Sequence, residues 1–126
     1  MTAVERPRDI ALEEIDELLA AARRLRADLR AKEAVYRQVS RQLRRGTAVS
    51  ATMQESGAST MRQELTDALD EFERCRHRTR LALTRAGLDE GMTIGELGRA
   101  WGFSRQLAAR YAREAEEEAR GVGGAR

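Results

Sequence analysis

Between Thr93 and Arg113 the chain reads TIGELGRAWGFSRQLAARYAR, and its polar residues fall where a short helix would turn them outward. Arg105, Gln106, Ala109, Arg110 and Arg113 follow the three- and four-residue steps that gather side chains on one side of a helix. A guanidinium can fork two donors onto neighbouring acceptors, and a carboxamide offers a donor beside an acceptor. Thr93 and Ser104 stand at two expected helix starts, where hydroxyls can meet the free backbone N–H groups. Arg99 adds a further cation to the stretch. Glu96 is the one acid among these arginines, so the stretch is basic, as a surface facing a polyanion should be.

The residues between them predict the scaffold. Thr93 with Glu96 three positions later is a capping box opening a helix over 94–101. Gly102 supplies the left-handed residue that ends it. Ser104 caps a second helix from Arg105 through Arg113 and onward. Leu97, Trp101, Phe103, Ala108 and Tyr111 are expected to fill the angle between the two helices, with Leu81, Leu83 and Leu88 of a preceding helix completing a small core.

The stretch ELGRAWGFSRQLAARYA resembles the helix-turn-helix of bacterial transcription regulators, including the type found in the promoter-reading domains of sigma factors. Leu97, Gly102, Phe103, Ser104, Ala108 and Tyr111 carry the resemblance, which covers about residues 80–115. Gly98 and Ala108 are smaller than the usual residues at their positions, and Trp101 is larger. The resemblance implies a recognition helix from Arg105 that enters the major groove of double-stranded DNA. It implies DNA-binding roles for Thr93, Arg99, Ser104, Arg105, Gln106, Ala109, Arg110 and Arg113.

The rest of the chain is rich in Ala, Arg, Glu and Leu, with proline only at Pro7. That composition points to long helices. Residues 9–45 predict one, capped by Asp9 and stopped by Gly46, with a seam of Ile15, Leu18, Ala22, Leu25, Leu29, Lys32, Tyr36, Val39 and Leu43. Residues 46–59 read as a connection with a helical turn from Thr52. A second long helix is expected from Thr60 to Gly87, with a seam from Met61 through Leu65, Ala68, Phe72, Cys75 and Thr79 to Ala86.

Charge predicts how these helices pair. The first is acidic up to Glu17 and basic from Arg23. The second is acidic from Glu64 to Glu73 and basic from Arg74 to Arg85. Antiparallel pairing sets acid against base at both ends, and parallel pairing sets like against like. The same polarity also suits each helix's own macrodipole without a partner. The first helix could satisfy the pairing rule with a second copy of itself.

Other chemistry finds no footing. Cys75 and His77 are the only residues of their types, too few for an intrachain disulfide or a zinc site. Cys75 reads as a small seam residue. The arginines around His77 alternate and so encircle the helix, which suggests solvation or ion pairs. No phosphate-cradling loop, nucleophile elbow or paired-carboxylate site is present. No apolar run is long enough for a membrane span, and Met1 to Ile10 lacks a signal-peptide stretch.

The reading is an all-α protein. A long antiparallel helical hairpin or coiled coil over 1–79 serves oligomerisation. A helix-turn-helix DNA-binding domain covers 80–115, and an acidic, then glycine-rich tail covers 116–126. The expected function is sequence-specific DNA binding in bacterial transcription regulation, in the cytoplasm at the nucleoid, by a homodimer formed through the long helices. No enzyme activity, metal, cofactor or membrane is expected. The rival readings are a coiled-coil adaptor that binds another protein, or a protein that organises chromosome or plasmid DNA.

Overall fold

The computed structural model describes residues 5–124, with side chains described through Gly121. Those residues form five helices and no strand: α1 (Pro7–Arg44), α2 (Val49–Ser56), α3 (Ala58–Asp89), α4 (Ile94–Trp101) and α5 (Arg105–Gly124). The fold is all-α, with two long helices, a short one between them, and two further helices joined by a tight turn.

Several helix ends differ from expectation, each for a local reason. α1 starts at Pro7, because the Arg6 carbonyl already accepts from the N–H groups of Asp9 at 2.9 Å and Ile10 at 3.1 Å. Proline suits this first position, having no N–H to satisfy. Asp9 therefore lies in the first turn, paired with Arg6 at 3.2 Å. The connection holds a full helix, α2, whose buried Thr52 donates its hydroxyl to the Ala48 carbonyl at 3.0 Å. α3 begins two residues before Thr60 and runs through Gly87 to Asp89. Gly87 is a point of close approach and not a stop. A Cβ there would lie 2.9 Å from Met92 Sδ and 3.1 Å from Leu97 Cδ2. The left-handed residue beyond α3 is Gly91, at φ 95°. α5 continues through Gly124, so most of the expected tail is helical; Ala125 and Arg126 lie outside the described residues.

The chain divides into two compact units. The first joins the described residues up to Leu18 with those from Cys75 onward. Here the start of α1 runs antiparallel to the end of α3. Arg8 grips Glu90 with two hydrogen bonds of 2.8 and 3.0 Å. Arg78 reaches both Glu14 and Glu17, each at 3.0 Å. Beneath them the buried Thr79 hydroxyl donates to the Glu14 carbonyl at 3.1 Å. At Glu14 and Glu17 acid on α1 thus meets base on α3, as the charge pattern predicts, while Arg8 and Glu90 pair in the opposite sense. Ala11, Cys75 and Ala86 are buried in this unit.

The second unit spans Leu19–Arg74. Four of the seven α1 seam residues in this unit lie as expected: Ala22, Leu25 and Lys32 are half-buried and Val39 is buried. The other three are displaced. Leu29, Tyr36 and Leu43 are exposed, and the residues one step earlier, Asp28, Val35 and Gln42, are half-buried in their place. One step is about 100° around a helix. Both rows have coiled-coil spacing, so periodicity alone does not say which one faces α3. On α3 the expected seam holds: Ala68 is buried, and Met61, Leu65 and Phe72 are half-buried. Lys32 points its ammonium over the Tyr36 ring, 5.6 Å from the centroid.

Among the described residues, no helix is long and apolar enough to cross a membrane.

Candidate nucleic-acid interface

α4 and α5 are fixed by their caps. The Thr93 hydroxyl accepts from the Glu96 N–H at 3.1 Å, and the Glu96 carboxylate accepts from the Thr93 N–H at 3.0 Å. The bond from the Thr93 N–H foremost, and then the Thr93 hydroxyl, hold the Glu96 carboxyl below the ordinary glutamate range. The Ser104 hydroxyl accepts from the Leu107 N–H at 3.1 Å and so caps α5.

The turn between the helices is as tight as its sequence suggests. Gly102 sits at φ 72°, ψ 25°, the left-handed conformation that costs a residue with a Cβ. The next N–H, from Phe103, donates to the Gly98 carbonyl at 2.8 Å. Gly98 is small for a reason. A Cβ there would stand 3.2 Å from the Phe103 carbonyl oxygen and 3.5 Å from Ala108 Cβ.

The core of the corner differs in part from the expected set. Leu97, Ala108 and Tyr111 are buried, and Phe103 is half-buried. Trp101 is not inside: it is 37% exposed. It stacks on Phe103 at 5.8 Å with an interplanar angle of 11°, and Phe103 stacks in turn on Tyr111 at 5.4 Å and 23°. A ring as large as indole overfills a corner closed by Gly98 and Ala108, so it lies at the rim. Leu81 from α3 is buried with Tyr111 and Ala115, and Phe103 and Leu107 pack against them. Leu83 and Leu88 are half-buried.

Two α3 residues that sequence reasoning set aside hold α5 in place. The Arg80 guanidinium lies over the Phe103 ring, 5.4 Å from the centroid, and donates to the Tyr111 hydroxyl at 3.3 Å. His77 Nε2 lies 3.1 Å from Glu114 Oε2, and its ring is 5.9 Å from that of Tyr111. The alternating arginines concealed this, since the run points in every direction around α3. The buried Ala112 and Ala115 were also missed; the steps of four and then three from Ala108 to Ala112 to Ala115 are the signal that could have found them.

With its inner face so held, α5 turns its polar residues out. Arg105, Gln106, Arg110 and Arg113 are exposed, and Ala109 among them is half-buried. Arg110 makes only a long contact of 3.9 Å to Glu114 on its own helix. Thr93, Arg99 and Ser104 are exposed as well. Thr93, Arg99 and Arg105 line one open cleft of about 630 Å3, floored by Gly95, Gly98 and Phe103. The Ser104 hydroxyl accepts in its cap and keeps an O–H hydrogen to donate. Within EAEEEA, Glu114 turns toward His77, while Glu116, Glu117 and Glu118 are exposed farther along α5.

Comparison with known protein families, with curated proteins and with solved structures finds no match to this chain.

Proposed function

We propose that α5 is a DNA-recognition helix, and that the chain binds double-stranded DNA sequence-specifically in transcription regulation. One observation carries the reading. A capped helix, held from behind by α3 and α4, presents Arg105, Gln106, Arg110 and Arg113 outward, beside a cleft edged by Arg99. Forked donors on a fixed helix are what base-edge readout requires. The exposed hydroxyls and Arg99 supply the positioning contacts to phosphate. A single recognition helix reads few base pairs, so the reading includes a homodimer on two half-sites. Ordering of chromosome or plasmid DNA would use the same surface.

The test is selection of bound fragments from genomic DNA, followed by titration of the selected site at rising salt. One Arg99–phosphate contact in each copy would weaken binding by roughly tenfold between about 50 and about 200 mM salt. Arg105→Ala with Arg110→Ala should abolish binding while the helical content stays unchanged. Full binding by that double variant would refute the assignment. Binding by the intact chain to another protein, with none to DNA, would instead support the adaptor reading.

A further inference from the structure

The unit Leu19–Arg74 leaves large apolar side chains outside its own seam. On α1, Leu29, Tyr36 and Leu43 recur every seventh residue and are 43%, 54% and 41% exposed. A shallow groove of about 580 Å3 runs along this row between Leu29, Glu33, Tyr36 and Ser40. On α3, Leu69 is 44% exposed, and on α2 Val49 and Met53 are exposed as well. An apolar row of this kind, bordered by charge, marks an interaction surface.

The rows lie on the same side of the hairpin. Each exposed α1 residue comes one step after a residue that faces α3, and Leu69 comes one step after buried Ala68. The two helices run in opposite directions. A forward step of about 100° therefore turns both rows to one common face. The register within this unit is fixed near its turn, where Lys32 and Val35 of α1 enclose a small void with Ala58 and Met61 of α3. Arg26 then lies level with the stretch just before Asp70, and Glu33 lies level with the start of α3, near Arg62.

We propose that this face is covered by a second copy of the chain, related by a two-fold axis along the hairpin, so that α1 of one copy lies over α3 of the other. Two symmetric arrangements bring the faces together, and charge separates them. An axis across the hairpin lays this basic stretch of α1 on itself, which brings together the exposed Arg26, Arg30, Arg37 and Arg44 of both copies, with Glu33 already bonded to Arg37 at 3.0 Å. An axis along the hairpin sets Arg26 opposite Asp70 of the partner subunit and brings Glu33, beside Arg37, to Arg62 of the partner subunit, each twice. It also carries Leu29 toward the partner's α3. A symmetric pair of this kind uses the same patch on both copies and leaves no open end. The result is a four-helix bundle.

The inference deepens the dimer of the proposed function but rests only on the unit Leu19–Arg74. It is tested on the full chain without DNA, so loss of DNA binding leaves it untouched. A monomer that still bound its DNA site would overturn this inference and the dimer of that reading, and leave the recognition helix standing.

The measurement is sedimentation equilibrium at micromolar protein, with circular dichroism to check folding. The natural chain should be a dimer. Tyr36→Glu should raise the dissociation constant by about a hundredfold, with Leu29→Gln as a second, milder probe at another exposed position. Two charge variants then read the axis. One carries Arg26→Glu with Glu33→Arg, and the other Arg62→Glu with Asp70→Arg. Each alone should be monomeric, and an equal mixture should recover the dimer, because inverted α1 then meets inverted α3. A monomeric natural chain, a dimer indifferent to Tyr36→Glu, or a mixture that stays monomeric would each overturn the proposal.

Discussion

The guanidinium of Arg80 lies 5.4 Å over the ring of Phe103, so a residue of the long helix α3 clamps the turn between α4 and α5. The same group donates to the Tyr111 hydroxyl at 3.3 Å. The position of α5 thus depends on a side chain more than twenty residues away in sequence.

Removing that clamp should be measurable in the corner itself. Arg80→Ala loses a cation–π contact and a hydrogen bond, together about 1–2 kcal/mol. Thermal melting should fall by several degrees, and the emission of Trp101, stacked on the other side of Phe103, should shift. Arg80→Lys should recover only part of the loss, since an ammonium cannot both cover the ring and reach Tyr111. Unchanged melting in Arg80→Ala would show that the clamp contributes nothing.

The turn itself gives a second expectation. Gly102 holds φ at 72°, so Gly102→Ala should cost about 1–2 kcal/mol. Gly102→Asn should cost less, because asparagine tolerates the left-handed region better. Melting temperatures should therefore rank Gly, then Asn, then Ala. Equal melting for Ala and Gly would mean that the turn relaxes to another conformation.

Acid should weaken the fold through two exposed carboxylates. The cap holds Glu96 below the ordinary glutamate range, and the hydrogen bond from Arg8 does the same for Glu90. A carboxyl depressed in the folded state adds stability that is fully present above its unfolded value, roughly pH 4.3. That stability is lost as pH falls through the lower folded value. Chemical denaturation should show a constant midpoint from neutral pH down to about pH 5 and a decline below it. In Glu90→Gln with Glu96→Gln the decline should be shallower, and an identical slope would exclude both groups.

On DNA, the positioning and reading residues should separate. Arg99→Ala should weaken binding about equally for all sequences and reduce the salt slope by roughly one contact. Gln106→Ala should leave the slope alone and relax preference at one base pair, worth about 1–3 kcal/mol. Competition between the selected site and single-base variants reads both effects. Loss of preference in Arg99→Ala would reverse the assignment.

The local motifs were legible in the sequence because they are written within a few residues. Thr93 with Glu96, Gly102, and Ser104 ahead of Leu107 each form within four positions, and each occupies the expected cap or turn. The antiparallel pairing was legible from charge, because Arg78 meets Glu14 and Glu17 through side chains long enough to select an orientation. The rotation of α1 was not. Leucines and a tyrosine fill one row while alanine, valine and polar residues fill the next, and both rows carry the same period. Hydrophobicity favours the larger side chains, but α3 packs against the smaller ones. The Arg80 and His77 contacts were also hidden, since they join residues about thirty positions apart whose types are common on solvated helices.

The partial exposure of Trp101 has a practical corollary. As the chain's one indole, it lies at the lip of the turn instead of deep in the core, so the molecule carries its own optical gauge at the spot where a bound strand would pass. Quenching by an added solute would report occupancy without any label or engineered dye.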